Sequence, residues 1–241
     1  MKIALCLSGN LRNAYTTIRT IRSFILHYDI DTYLLISSLE KEKDIQKIVN
    51  ILSPCRLKIK RIDDLSDCPN MNMWYKIQQC YLFASSQSNY NVFIRCRFDL
   101  SIDHFDKNIS FDKLNDNTLY IGMWKYDMFR TMSRYLPDEM FIGTQKIMKI
   151  YCNFYNLIQN SNNKCLEYIP PEADFFNFTK LNHHDIEYID IKYQFKSYSD
   201  ISMLTVMLTK FKNIGQFKMI ILYHIIVLLI FTLTAYLKIS T

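Results

Sequence analysis

Two arginines and an aspartate follow a short apolar run in the segment NVFIRCRFDLSID, residues 91–103. If Val92 begins a strand there, the alternation of side chains places Arg95, Arg97 and Asp99 on one side of the chain. Charged side chains are rarely buried unless they are paired or bind a ligand. The segment therefore predicts either a structural ion pair at the edge of a sheet or a site for an anion, with the carboxylate able to bind a divalent metal.

The start of the chain, MKIALCLSGNLRNA, also places polar residues directly after an apolar run. The run Ile3 to Leu7 is predicted to form a buried strand that ends at Ser8 and Gly9, and Arg12 follows where the next helix should begin. Backbone N–H groups at such a helix start, with an arginine nearby, suit a phosphate group. The alternative is that Arg12 only forms an ion pair with a carboxylate there.

Strand-like and helix-like patterns alternate along the first part of the chain, and each candidate site follows a predicted strand. Parallel neighbouring strands need a crossover helix, so this alternation predicts an α/β fold with a mostly parallel sheet flanked by helices. Ligands bind outside the carboxyl ends of the strands in such sheets, so both candidate sites should share one edge. The predicted strands are Ile3–Leu7, Thr32–Ile36, Leu57–Ile62, the run before Arg97, Leu119–Gly122 and Met140–Gly143; the predicted helices run from Asn13 to His27, from an N-cap at Ser38, from Met73 to Ser86 and from Gln145 to Gln159.

Composition excludes several other kinds of site. The chain of 241 residues has 4 glycines and contains neither GxGxxG nor GxxxxGK[ST], so no glycine-rich phosphate loop is predicted. The net charge of +6 is not concentrated in a basic tract, and we predict no nucleic-acid partner. The 7 cysteines are scattered, odd in number and without a CxxC pair, which predicts free thiols, several of them buried, in a reducing compartment.

The C-terminal segment from Met219 to Leu237 is apolar and contains no charged residue. Since about 20 apolar residues are needed to cross a bilayer, residues 217–238 are predicted to form a C-terminal transmembrane anchor. Lysines are more frequent before this segment than after it, which predicts that the preceding domain faces the cytosol. The alternative is a helix that is buried against the domain or lies in the membrane interface.

Five segments, taken in order, resemble a known family of glycosyltransferases. They are MKIALCLSGNLRNA, MWYKIQQCYLFA, NVFIRCRFDLSI, LPDEMFIGTQKIMKIYCNFYNLI and PPEADFFNF, and they fall within residues 1–195. The family includes WavE-like lipopolysaccharide and capsule-synthesis proteins and relatives in large DNA viruses. The most specific pieces are the SGxLR start, the RxRxDL strand end and the DxxFIG-like segment with a helix behind it.

The resemblance implies a GT-A-type, Rossmann-like fold that binds a nucleotide-sugar donor, here over residues 1–210. In that fold a carboxylate motif at a strand end binds Mn²⁺ or Mg²⁺ through the diphosphate of the donor, and Asp99 is the residue at that position. The usual DxD motif reads Arg97-Phe98-Asp99 in this chain. Metal dependence is therefore left open, because Arg95 or Arg97 could neutralise the diphosphate instead.

The resemblance also implies a position for the catalytic base. Asp138, with Glu139 beside it, matches the aspartate of the family that lies near the acceptor, and Glu172 matches a later PE motif. Taken from the residues alone, Asp138 and Glu139 fit solvated acids of a loop better than catalytic groups.

The sequence-based hypothesis is a membrane-anchored, cytosol-facing glycosyltransferase that moves a sugar from a nucleotide-sugar to a glycan or lipid-linked acceptor. Two alternatives are kept. The first is a catalytically degenerate protein of the same fold that binds a nucleotide or glycan, or scaffolds a membrane complex, and the second is another Rossmann-like nucleotide-dependent transferase. The predicted donor-binding residues are Ser8, Gly9, Arg12, Arg95, Arg97 and Asp99, with Asp99 as the metal ligand and Asp138 and Glu139 as the catalytic carboxylates.

Overall fold

An eight-stranded sheet with helices packed against it forms the centre of the structure, which confirms the predicted α/β class. The computed structural model describes residues 1–11, 14–65, 69–124, 139–160 and 184–195, all within one compact unit. The strands are β1 Ile3–Ser8, β2 Asp31–Ser37, β3 Leu57–Ile62, β4 Val92–Arg97, β5 Leu100–Phe105, β6 Thr118–Trp124, β7 Met140–Thr144 and β8 Asp185–Phe195; the helices are α1 Ala14–Tyr28, α2 Glu42–Leu52, α3 Pro69–Ser85, α4 Gln145–Tyr151 and α5 Phe154–Asn160, with a short 3₁₀ helix at Phe111–Lys113.

The strands lie in the order β3-β2-β1-β4-β7-β6-β8-β5, and the two halves of the sheet differ. The first half is parallel throughout, as the alternation of strands and helices predicted. In the second half β7 is antiparallel to both β4 and β6, β6 is parallel to β8, and β5 is antiparallel to β8. The prediction of a mostly parallel sheet is therefore wrong for this half. The described chain between β4 and β7 contains strands and a 3₁₀ helix but no long crossover helix, which antiparallel neighbours do not need.

Helix α3 covers one face of the parallel half. Its residues Trp74, Ile77 and Cys80 are buried in one cluster with Cys6 of β1 and Phe93 of β4. Each large apolar side chain buried in this way contributes about 1.5–3 kcal/mol to folding. Residues that alternate with these along β1 and β4 are also buried, so both faces of the central strands are covered.

Two local predictions are wrong because tertiary contacts override the local pattern. Helix α2 begins at Glu42, without a side-chain cap, and the predicted cap Ser38 instead donates its hydroxyl to Asp63 after β3. The predicted helix over residues 145–159 is divided into α4 and α5 at Asn153, whose side chain accepts a 2.7 Å hydrogen bond from Gln78 of α3.

The predicted C-terminal anchor lies outside the described residues. Within the described ranges, none of the helices has both the length and the apolar character needed to cross a bilayer. The anchor at 217–238, the domain boundary at residue 210 and the cytosolic orientation stay predictions.

Gly143 of β7 allows the first turn of α4 to pack directly on the sheet. A Cβ atom at this position would lie 2.2 Å from Cγ2 of Ile147. We expect Gly143→Ala to destabilise the protein by about 1–3 kcal/mol, because the extra methyl forces the helix or its side chain to move. Urea unfolding of the purified protein measures this free energy.

The matched control is the same substitution in an Ile147→Ala background, where the clashing methyl is gone. Gly143→Ala should then have a clearly smaller effect on the free energy of unfolding. Equal effects in both backgrounds would contradict the close approach of α4 to β7.

Candidate functional site

The two candidate sites predicted from the sequence lie side by side at the carboxyl edge of the parallel half. In the register of β1 and β4, Ser8 and Arg97 are direct Cα partners, and Cys6 and Arg95 are partners one layer below. This register brings residues far apart in the sequence to one edge of the sheet. It is the edge at which open α/β sheets bind ligands.

At the end of β1, the backbone turns sharply and leaves space beside it. Gly9 has φ of +130°, a conformation that side-chain-bearing residues rarely adopt. A Cβ atom built there would meet no atom of the described residues within 4 Å. The Oγ of the preceding Ser8 is buried and has no hydrogen-bond partner among the described residues. Leaving such a hydroxyl unsatisfied costs about 1–3 kcal/mol, which a bound ligand could offset.

At the end of β4, Arg97 and Asp99 form a two-point ion pair. Arg97 Nε donates to Asp99 Oδ1 at 2.9 Å and Nη2 donates to Oδ2 at 2.7 Å. The side chains are 30% and 20% exposed, so both are partly accessible to solvent. Phe98 between them is fully buried, and its carbonyl accepts a hydrogen bond from the hydroxyl of Thr17 on α1. The short turn after β4 is thereby fixed, and its two charged side chains emerge together.

Arg95 and Glu139 lie beneath this surface. Arg95 is 1% exposed and Glu139 is 3% exposed. Arg95 Nη1 lies 3.5 Å from the Glu139 carbonyl oxygen, and the Tyr193 hydroxyl lies 3.5 Å from a Glu139 carboxylate oxygen. Such burial is typical of structural charges rather than of groups that meet a substrate. The roles of Arg95 in phosphate binding and of Glu139 in catalysis stay untested predictions.

Several thiols surround the buried Arg95. Hydrogen bonding to Cys80 and burial raise the pKa of Cys6, burial raises the pKa of Cys96 to about 12, and burial raises that of Cys152. The nearby Arg95 guanidinium opposes each shift by stabilising the thiolate, but it does not outweigh burial. All the described cysteines are free thiols, and these three are buried as predicted; Cys68 and Cys165 lie outside the described residues.

The ends of β2 and β3 add a polar cluster that the sequence analysis missed. Lys76 of α3 is only 4% exposed and forms an ion pair with Asp64, which follows β3. The other oxygen of Asp64 accepts a 3.2 Å hydrogen bond from Ser37 at the end of β2. A signal was present in the segments LLISS and KRIDD, where polar residues directly follow predicted strands that should reach the same edge.

Two predicted site residues cannot be placed. Arg12 and Asp138 lie outside the described residues, as does Glu172. Of the residues predicted for the donor site, the structure brings together Ser8, Gly9, Arg97 and Asp99 at one edge. Among the described residues, no three histidine, cysteine or acidic side chains converge in a way that could hold a metal ion.

Comparison with known proteins identifies the fold. No protein-family model matches the chain, and no curated protein matches its sequence. The apo form of the glycosyltransferase GlyE from Streptococcus pneumoniae TIGR4 superposes with a TM-score of 0.50 and 11% identity, over 77% of this chain and 45% of GlyE. A glycosyltransferase involved in glycosylation of the major capsid of PBCV-1 superposes with a TM-score of 0.51 and 8% identity, over 79% of this chain and 82% of that protein.

The chain has the fold of the GT-A glycosyltransferases. This confirms the fold that the sequence resemblance implied. At such low identity the likeness shows the fold alone, and the chain spans less than half of the length of GlyE. In this GT-A fold, the function must be argued from the carboxyl edge itself, where Ser8, Arg97, Asp99 and the Asp64–Lys76 pair lie.

The burial of the thiols in the GT-A domain predicts their reactivity. In the native protein we expect iodoacetamide to leave Cys6, Cys80, Cys96 and Cys152 unmodified near neutral pH, because only an accessible thiolate reacts. The partly exposed Cys55 should react, although burial raises its pKa as well. Peptide mass mapping after brief labelling measures each site, and the urea-unfolded protein is the control in which all should react. Rapid native labelling of Cys96 or Cys152 would show that the layer beneath Arg97 is open.

Proposed function

We propose that this protein is a glycosyltransferase that moves a sugar from a nucleotide-sugar donor to a glycan or lipid-linked acceptor. The observation that carries the proposal is the adjacency of Ser8 and Arg97 at the carboxyl edge of β1 and β4. Among the described residues, this edge combines a backbone turn with space beside it, a buried hydroxyl without a hydrogen-bond partner and a partly exposed guanidinium, at the ligand-binding edge of a GT-A fold.

The charges along the edge suggest how a donor would lie. The Asp64 carboxylate after β3 is paired with Lys76, and its oxygens can also accept hydrogen bonds from a base N–H or a ribose hydroxyl. The Arg97 guanidinium at the end of β4 has the charge and planar shape that suit phosphate oxygens. We therefore assign the nucleoside to the side of Ser37 and Asp64 and the diphosphate to the side of Arg97, with Ser8 between them.

The chemistry would be a displacement at the anomeric carbon. The bond from this carbon to the diphosphate oxygen breaks, and its electron pair stays on the diphosphate, while an acceptor oxygen forms the new bond. The acceptor hydroxyl gives its proton to a carboxylate base. Asp138 is the proposed base, from the sequence resemblance, and Glu139 is a weaker candidate because its carboxylate is buried.

Two further parts of the proposal come from the sequence alone. Residues 217–238 would anchor the protein in a membrane with the transferase domain facing the cytosol, which would bring the site close to lipid-linked acceptors. The alternative function, a binding or scaffold protein without turnover, is favoured by one observation. The carboxylate at the position of the metal motif, Asp99, is paired with Arg97.

The proposal predicts that the full-length protein binds nucleotide-sugars. A donor at about 100 times its Kd should stabilise the native state by about 2.7 kcal/mol, because only the native state binds it. A thermal-shift screen of uridine, guanosine, cytidine and adenosine diphosphate sugars measures this gain, and release of the free diphosphate with added acceptor glycans measures turnover. Stabilisation without any release supports the binding-protein alternative, and no stabilisation by any nucleotide-sugar contradicts both functions.

Asp64→Asn tests the side assigned to the nucleoside. We expect it to weaken binding of the selected nucleotide by about tenfold, since a charge-assisted hydrogen bond is lost. Asp112→Asn, at an exposed site in the 3₁₀ helix, is the matched control and should leave binding unchanged. Equal affinities of the two variants would remove Asp64 from the site.

A further inference from the structure

The acidic side chain at the end of β4 is already engaged by its neighbour. Both oxygens of the Asp99 carboxylate accept hydrogen bonds from Arg97, at 2.9 and 2.7 Å. A two-point pair between a guanidinium and a carboxylate is among the strongest and most directional of ion pairs. The buried Phe98 and the Thr17 hydrogen bond to its carbonyl hold the turn that presents both partners.

These residues fit a divalent metal poorly. Mg²⁺ and similar ions take several oxygen ligands in a near-octahedral arrangement, usually including carboxylates. Each Asp99 oxygen already accepts one hydrogen bond from Arg97, and a metal bound to its remaining lone pairs would lie beside the guanidinium, where like charges repel. In the parts of the chain that the structure describes, no three potential ligands converge to compensate. The position of the usual first carboxylate of the motif is occupied by Arg97 itself.

We propose that the Arg97 guanidinium, oriented by Asp99, neutralises the diphosphate of the donor in place of a divalent metal. The inference rests on the proposed function, because the diphosphate is that of a nucleotide-sugar. It is carried by the two-point pair, by the 30% exposure of Arg97 and by its position next to Ser8 and the open turn at Gly9.

A guanidinium meets the chemical demands on this position. It stays charged throughout the accessible pH range, and it has five N–H donors, of which Asp99 accepts two, so one guanidinium can bind a carboxylate and phosphate oxygens together. When the bond to the anomeric carbon breaks and its electron pair moves onto the diphosphate, the fixed positive charge stabilises the added negative charge. Asp99 acts as a positioning residue, since it holds the guanidinium at the strand end before the donor arrives.

The test measures the affinity of the full-length protein for the diphosphates of uridine, guanosine, cytidine and adenosine by titration calorimetry. Each titration is run with EDTA and with added Mn²⁺, and the unphosphorylated nucleoside is measured beside it. We expect the preferred diphosphate to bind with affinities that differ by less than about twofold between EDTA and Mn²⁺. Arg97→Gln should weaken diphosphate binding by about 10–100-fold, because a charged hydrogen-bonding group is lost, and should leave nucleoside affinity within about twofold.

Two further variants separate the charge of Arg97 from its shape. Arg97→Lys keeps the charge without the planar fork and should give an intermediate loss, and Asp99→Asn should give a smaller loss that Mn²⁺ does not change. Arg56→Gln is the matched control. Arg56 pairs with Asp29 and Asp31 at the opposite edge of the sheet, so its loss should not affect diphosphate affinity. Unchanged nucleoside affinity also reports that each variant is folded.

The outcomes distinguish this inference from the proposed function. If Mn²⁺ strengthens diphosphate binding by about tenfold or more and Asp99→Asn abolishes that gain, the site uses a metal, and this inference is overturned while the proposed function stands. If diphosphates bind without Mn²⁺ but Arg97→Gln has no effect, another cation neutralises them, and the inference is also overturned. If no diphosphate binds under any condition, the proposed function fails first.

Discussion

The structure depends on the parallel register of β1 and β4. Once Ile3 pairs with Val92, the partner of every later residue in the two strands is determined, and Ser8 must lie beside Arg97. The position along the strand then decides which charges can meet a ligand. Arg97 ends its strand at the edge, whereas Arg95, two residues earlier on the same face, is enclosed below it. A slip of one residue in this register would exchange the two faces and bury the charge that the edge needs.

The enclosed layer explains why the edge can be rigid. Hydrogen bonding to Cys80 and burial raise the pKa of Cys6, and burial raises the pKa of Cys96 and Cys152, so these thiols near Arg95 stay protonated and neutral. Cys6, Cys80 and Cys152 lie in one buried cluster with side chains of α3 and α4, and Gly143 lets the first turn of α4 pack closely on β7. Close packing of this kind leaves the strand ends little freedom to move, which keeps Ser8 and Arg97 in register without a ligand.

The parts of the fold that could be predicted are those encoded by local patterns. The apolar runs of β1, β2 and β4 and the helical spacing of α1 were sufficient to predict the parallel half and its ligand-binding edge. The antiparallel half was not predictable in the same way, since the pairing of β7 with β4 and β6 depends on contacts between distant segments. Strand β8 carries an alternating pattern, IEYIDIKY, that the sequence analysis did not use.

The residues of the candidate site also differ in how far local sequence patterns could predict them. Ser8, Gly9, Arg97 and Asp99 could be predicted because each follows a recognisable strand and because the family motif marks the end of β4. The pairing of Asp64 with Lys76 could not be predicted from the sequence. Nothing in the pattern of α3 indicates that Lys76 is buried rather than exposed to solvent. The sequence also could not predict that Arg97 donates hydrogen bonds to both Asp99 oxygens. From the sequence, a ligand-binding carboxylate and an ion pair were equal alternatives.

Charge order along the edge gives the site a direction. From β3 to β4 the described side chains run from the Asp64 carboxylate, through the hydroxyls of Ser37 and Ser8, to the Arg97 guanidinium. A ligand with a neutral hydrogen-bonding end and an anionic end fits this order with its anionic end at Arg97, whose guanidinium suits phosphate oxygens, and its neutral end near Asp64 and Ser37. A transferase must bind its donor in one orientation, because the anomeric carbon has to lie beyond the diphosphate, on the side where an acceptor can approach. Ion pairs fix the charged side chains at the two ends of this edge. Lys76 pairs with Asp64 at one end, and Asp99 pairs with Arg97 at the other.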